Sequence, residues 1–274
     1  MLKIAAVMML VWVSLSSFAI AQAAKISPVT NEIYRYQSGD LQGLVILTSD
    51  GVVVVDPLGQ ASADWLNVEL GGLISRPVTH VIYSHGGVEH SSGGAAFPSA
   101  TSIAHINAPA SLGGVKPTIR FKDQLVLDLG SKQIELSAIK MGTARDLIAV
   151  VVQPDRIGFV GRGISPKHLP EPEFAQTNPT EWIAVADQLD GLDFATLIGS
   201  RGQIGDKSDL RAFKTYVRTL QGAVLGGLRA GDSQGRLIEL LQFDGYGDWQ
   251  SGEDAHARNI VSMAKFLMSS GKVE

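Results

Sequence analysis

The chain has no cysteine among its 274 residues. That excludes disulfides, a lipid-modified cysteine anchor and thiolate metal ligands, and it leaves stability to core packing. Charge is scarce too: Asp, Glu, Lys and Arg make up 18% of the sequence, the net charge is −4, and no basic run occurs. Such a distribution points neither to nucleic acid nor to an anionic membrane surface. Low charge beside a hydrophobic fraction of 45% describes a folded chain with a sizeable core, not a disordered one.

What is present begins with an export pattern. Lys3 gives a short positive start, Ile4 to Ile20 is apolar apart from small serines, and Ala21-Gln22-Ala23 offers a small-x-small cleavage site. Residues 1–24 therefore read as a signal peptide, with an uncleaved membrane anchor as the alternative. A cysteine-free exported chain suits a bacterial periplasm. No second apolar run of spanning length follows, so the expectation is a soluble mature chain with no stable membrane insertion. The remaining residues, about 250 of the 274, fit one α/β domain. Its boundaries read as a core over 25–206 and a C-terminal helical part of the same domain over 207–274. No internal repeat or low-complexity segment appears.

Turn chemistry divides the chain. Gly43 to Thr48 and Gly51 to Asp56 are β-rich runs joined around Ser49-Asp50, a hairpin signal. Ala61 to Arg76 has Trp65, Leu66, Leu70 and Leu73 at helical spacing and ends before Pro77. Strands are expected at Thr79–Ser84 and Ser102–His105, with a short helix from Asn107. Strands follow at Thr118–Phe121, Gln124–Leu129 and Lys132–Lys140. Leu147–Gln153 and Arg156–Val160 flank Pro154-Asp155 as a second hairpin. Thr180–Leu189 and Asp209–Leu225 read as helices around a buried strand at Phe194–Ile198. The rest stays helical, with breaks at Ala230-Gly231-Asp232 and Gly245-Tyr246-Gly247. Tyr246 and Trp249 could be core anchors or contact residues. Two sheets with helices outside them fit this order, and the hairpins weaken the doubly wound alternative.

The chemistry concentrates in Ser84-His85-Gly86-Gly87-Val88-Glu89-His90, a strand end followed by histidines and an acid. A zinc hydrolase holds its ions in such a loop. The loop resembles the His-x-His-x-Asp-His signature of the metallo-β-lactamase superfamily. His85 and His90 match it, Glu89 stands at the Asp, and Gly87 stands at the second His. The resemblance runs from about Val29 to Leu225 and implies an α/β fold, a four-layer αββα sandwich of two mixed sheets with outer helices. It gives Asp56 the role of supporting the metal loop. It also places Gly142 at the third histidine, Arg162 at the bridging aspartate and Arg201 at the last histidine. No histidine lies between Ile106 and Ser165 or between Leu169 and Ala255, so no shift of register restores those ligands.

Only His85, Glu89 and His90 thus keep donor side chains, and fixed guanidinium groups beside them repel a dication. The expectation is no bound metal, with a single Zn on His85, Glu89 and His90 as the alternative. The sign of the replacements suggests that Arg162 and Arg201 take over the neutralising role of the ions and pair with a buried Glu89. Ligand binding would then fall to His85, Glu89, His90, Arg162 and Arg201. Two classes of function stay open. One is an exported pseudoenzyme that binds a small anionic ligand or a periplasmic protein partner. The other is a hydrolase of ester, thioester, lactam or phosphoester bonds with a remodelled or mononuclear site. Its catalytic candidates are Glu89, His90, Arg162 and Arg201. Plainer readings exist for each residue: histidines held by packing, arginines solvated on loops, and Gly87 and Gly142 as turn residues. His80 and His105 read as structural, and His168 and His256 sit in polar surroundings. Lys167-His168 could line the pocket, and Ser84 lacks the partners of a serine nucleophile.

Overall fold

A turn at Ser49-Asp50 folds two apolar strands onto each other, and one sheet grows from that hairpin. The computed structural model describes residues 24–74, 76–142, 144–170, 178–250 and 254–273. The signal-like segment lies outside the described residues. In chain order the first strands are β1 (Lys25–Pro28), β2 (Ile33–Ser38), β3 (Leu41–Thr48), β4 (Gly51–Val55), β5 (Val78–Ile82), β6 (Thr101–His105) and β7 (Ile119–Phe121). They lie side by side in that order, antiparallel from β1 to β4 and parallel from β4 to β7. Parallel neighbours need crossovers. The helix α1 (Gln60–Leu73) supplies one, and the single turn α2 (Val88–Ser91) begins the next.

The second sheet holds β8 (Gln124–Leu129), β9 (Lys132–Ala138), β10 (Ile148–Gln153), β11 (Ile157–Val160), β12 (Thr196–Gly199) and β13 (Ile204–Gly205), in the order β13-β12-β11-β10-β9-β8. Only β11 and β12 pair parallel, with α3 (Pro179–Asp190) between them. The chain then continues through α4 (Lys207–Arg229), α5 (Gln234–Leu240) and α6 (Ala255–Ser269). A capping box at Asp206 and Asp209 starts α4, and Leu210, Phe213, Val217, Leu220 and Val224 give it one buried stripe.

Strand alternation sorts the apolar side chains into three buried layers. Ile33, Leu44, Ile46, Val53 and Val55 meet Ile134, Leu136, Val150 and Val152 between the sheets. On the outer face of the first sheet, Tyr36, Val45 and Val54 pack with Leu66 and Leu70 of α1. On the outer face of the second, Ala149 and Val151 pack with Trp182, Phe213 and Met263 from α3, α4 and α6. The layering is therefore helix, sheet, sheet, helix, the αββα sandwich expected from the sequence. No described helix is long and apolar enough to cross a membrane.

Three local expectations need correction. Helix α1 stops at Leu73 instead of reaching Arg76: Ile74 is already extended, at φ −138° and ψ 115°, and its amide closes the last turn on the Leu70 carbonyl. No helix follows Asn107. Arg120 takes the carbonyls of Ile106, Ala108 and Pro109 that a helix would use, and Gly113 and Gly114 turn left-handed there. His256 is not in polar surroundings. It lies edge-on to Phe243, with Nδ1 3.0 Å from the Tyr216 hydroxyl and Nε2 3.0 Å from the Leu241 carbonyl. Beside it Tyr246 and Trp249 pack on the ring of Tyr216, so both are core anchors. The same segment is tied to the other half of the chain. Leu169 N donates to the Gln250 carbonyl, and Gln250 N donates to that of Lys167.

Candidate active site

The loop from Ser84 to His90 leaves the end of β5 and is fixed from below by Asp56. Asp56 accepts the Ser84 amide at 2.7 Å and the Ser84 hydroxyl at 2.6 Å, and both residues are fully buried. That is the supporting role the resemblance gave to Asp56. Gly161, at the end of β11, makes it sterically feasible: a Cβ there would lie 1.7 Å from Ser84 Oγ and 2.6 Å from Asp56 Oδ2. Further along, Asp146 accepts the Gly86 amide at 2.7 Å, and the Leu58 amide donates to the His90 carbonyl at 2.9 Å. Asp56 and Leu58 are both left-handed, with φ of 54° and 59°. Non-glycine residues held in this way concentrate at functional sites.

His85, Glu89, His90, Arg162 and Arg201 all border one cavity of about 820 Å³, as does His168. The structure thus places these sequence candidates at one cavity. His80 and His105 lie elsewhere: His80 Nδ1 faces the Thr79 hydroxyl, and His105 is bonded to the Lys122 carbonyl. Lys167 turns away from the cavity to Asp248. The His85 and His90 rings are 4.7 Å apart between centroids. His85 Nδ1 is 3.1 Å from Ser84 Oγ. Burial pushes the His85 imidazole down to about 4, with Asp56 opposing the shift and the Arg162 guanidinium reinforcing it. His90 stands between two carboxylates, with Nδ1 3.5 Å from Asp56 and Nε2 3.5 Å from Glu89. Ser84, His85 and Asp56 do not form a nucleophilic triad, because the serine is buried and gives its proton to the aspartate.

Glu89 departs from expectation. Its side chain is 59% exposed, on the outer face of the α2 turn, and is not buried. It still meets an arginine, with Oε1 3.6 Å from Arg201 Nη2. The closer partner of Arg201 is Asp40, which no local pattern points to because it lies 161 residues away. Where the resemblance expects a third histidine, Gly142 N donates to the Glu181 carboxylate at 3.0 Å. A Cβ at Gly142 would fall 2.4 Å from that carboxylate, so α3 fills the space a side chain there would need. Gly87 is filled likewise: its Cβ would lie 2.6 Å from His85 Nε2.

Zinc needs three or four donors at about 2.0–2.3 Å around one point. Among the described residues no group of three or more His, Asp or Glu side chains gathers in that way. His85 leans over Gly87, Glu89 faces Arg201, and Asp56 is occupied by Ser84. The residues present do not fit the zinc centre that the resemblance implies.

No protein-family model matches this chain, and no curated protein does. Solved structures do match it. One is a metallo-β-lactamase from Pontibacter korlensis, at TM-score 0.62 and 16% identity over 72% of this chain and 99% of that one. Another is the DIM-1 metallo-β-lactamase, at TM-score 0.62 and 18% identity over 73% and 99%. A third is the stereoselective inverting sec-alkylsulfatase Pisa1 from Pseudomonas sp., at TM-score 0.70 and 12% identity over 89% of this chain. This chain spans 50% of that enzyme's length. Identities this low speak for architecture alone, and that architecture, with its two mixed sheets between helices, is the metallo-β-lactamase fold.

Proposed function

We propose that this chain is an exported, non-hydrolytic member of the fold that binds a small anionic ligand where its relatives in fold hold metal. One observation carries the reading. The cavity is bordered by two guanidinium groups, Arg162 and Arg201, at positions where the resemblance expects a carboxylate and a histidine. Arginine presents planar N–H forks matched to carboxylate and phosphate, and it cannot act as a metal ligand in its charged form. The remaining donors, His85, Glu89 and His90, are spread among protein partners. Fold by itself does not carry activity, so the site decides the assignment.

The test is zinc content of the mature protein by mass spectrometry, followed by zinc titration and calorimetry with small anions. Less than about a tenth of an equivalent of zinc, no tight uptake and saturable anion binding support the reading. Close to one equivalent, lost on His85→Ala or His90→Ala, replaces it with a mononuclear hydrolase. A second reading, hydrolysis without an ion, has one feature in its favour. His85 is kept neutral by burial at the cavity that Arg162 and Arg201 also border, so an unprotonated imidazole and electrophilic groups share one site. Turnover of ester, thioester, lactam or phosphoester probes, abolished by His85→Gln, would establish it. Export is tested separately by N-terminal sequencing of the mature chain, which should begin near Ala24 or Lys25.

A further inference from the structure

A single carboxylate oxygen marks a particular spot in the cavity. Glu89 Oε1 lies 3.5 Å from His90 Nε2 and 3.6 Å from Arg201 Nη2. Both separations exceed the 2.7–3.2 Å of a good N–H···O bond. The oxygen is therefore flanked by two nitrogens without closing on either. The surrounding groups are fixed more firmly than the carboxylate. His90 is 2% exposed, and its ring stands against Asp56. Arg201 is anchored through its other terminal nitrogen by Asp40, which does not border the cavity. Glu89, by contrast, is 59% exposed, and an ion pair so open to water contributes little.

We infer that Glu89 is a resident occupant of the carboxylate seat, displaced when a ligand carboxylate docks between His90 and Arg201. This rests on the anion-binding reading above and specifies the ligand class. The group already in the seat is a carboxylate, so a carboxylate fits its shape and charge. A ligand free of the α2 backbone can shorten both contacts to the 2.7–2.9 Å of charge-assisted bonds, which Glu89 does not reach. Displaced, Glu89 needs no new partner, because its side chain already faces water. The cavity of about 820 Å³ leaves room for a body behind the carboxylate, within the range of small-molecule sites. Glu89 then lowers the affinity of every anion that must displace it, by the small worth of an exposed pair.

Calorimetry of the mature protein with benzoate tests this in wild type, Glu89→Gln, Glu89→Asp and Arg201→Ala. Glu89 is exposed, so neither of its variants threatens folding. The expected result is that Glu89→Gln tightens benzoate binding roughly two- to fivefold, the scale set by losing an exposed competing pair. Glu89→Asp, which keeps the charge but draws the carboxylate back from the seat by one methylene, should tighten it as well, and Arg201→Ala should weaken it more than about tenfold. Weaker or unchanged binding in Glu89→Gln overturns the inference, because Glu89 would then be a ligand contact or a bystander. Tightening in Glu89→Gln with none in Glu89→Asp also overturns it, since loss of a nearby negative charge alone would then suffice. If neither wild type nor Glu89→Gln binds benzoate or any other small anion, the anion-binding reading itself fails. If other anions bind but benzoate does not, only the carboxylate seat is lost.

Discussion

Gly161→Ala is the sharpest test of how the site is built. The residue follows β11, and its φ is not in the left-handed region, so alanine suits the backbone. The obstacle is purely steric. The added methyl would sit 1.7 Å from Ser84 Oγ and 2.6 Å from Asp56 Oδ2, and both side chains are fully buried. Something must move. Overpacking a rigid interior costs about 1–3 kcal/mol. Parting the Ser84 hydroxyl from the Asp56 carboxylate costs about 1.5–3 kcal/mol more, because the acceptor is charged. The expected loss is therefore roughly 3–5 kcal/mol, a large share of a typical total of about 5–15 kcal/mol. Urea unfolding followed by tryptophan fluorescence reads it as a lowered midpoint at unchanged slope. Removing the hydroxyl should relieve part of the clash. Ser84→Ala with Gly161→Ala should thus be more stable than the sum of the single losses predicts, by about 1–2 kcal/mol. Gly72→Ala in α1 is the control: a Cβ there meets nothing within 4 Å. It should stabilise by about 0.5–1 kcal/mol through helix propensity. A Gly161→Ala loss below about 1 kcal/mol, within the range of an ordinary substitution, refutes the close approach.

Three further predictions follow from the same geometry. Burial lowers the His85 pKa from 6.5 to about 4, so the unfolded chain takes up a proton in that interval that the folded chain refuses. Stability should therefore fall by about 3 kcal/mol as pH drops from 6.5 to 4 and level off below, and His85→Gln should lack that component of the slope. Gly87→His supplies a donor where the resemblance expects the second histidine, but its Cβ would lie 2.6 Å from His85 Nε2. It should cost about 1–3 kcal/mol in urea unfolding, and the variant should show no tight zinc uptake by mass spectrometry. Tyr216→Phe strips the hydroxyl that Asn259 Nδ2 donates to at 3.1 Å and that lies 3.0 Å from His256 Nδ1. It should lower stability by about 1–3 kcal/mol, seen as a lower thermal midpoint, with zinc content unchanged.

What the sequence disclosed depended on how local the cause was. The β3–β4 and β10–β11 hairpins are legible because Ser49-Asp50 and Pro154-Asp155 set their own turns. Helix α4 is legible because its capping residues and apolar spacing lie within one segment. Strands β1, β2 and β13 carry no such mark. Their identity comes from partners, as when Ile33 pairs with Ile46 and Ile198 with Ile204. The site divides in the same way. His85, Glu89 and His90 fall within one short motif, so their presence at the cavity was readable. The motif does not fix which face of α2 each residue takes, and so Glu89 was expected buried and is exposed. Asp40 and Glu181 reach the site only through contacts across 161 and 39 residues, which no local pattern encodes.

The geometry around His85 and His90 is held by contacts that owe nothing to an ion. Asp56 clamps the loop at Ser84 through two bonds, Asp146 holds the Gly86 amide, and Leu58 binds both the His90 carbonyl and the Gly93 amide. The left-handed backbone at Asp56 and Leu58 is kept in place by the same bonds. Opposite, Glu181 occupies the space at Gly142 and accepts its amide. Such a frame fixes the spacing of its side chains before any ligand arrives, which lowers the ordering cost of binding. It also separates two kinds of residue at the cavity. Asp56, Ser84 and Gly161 maintain the frame, and changing them should cost stability. Glu89, exposed, and Arg201, 21% exposed, lie on top of it, and changing them should alter what binds while the fold stays intact.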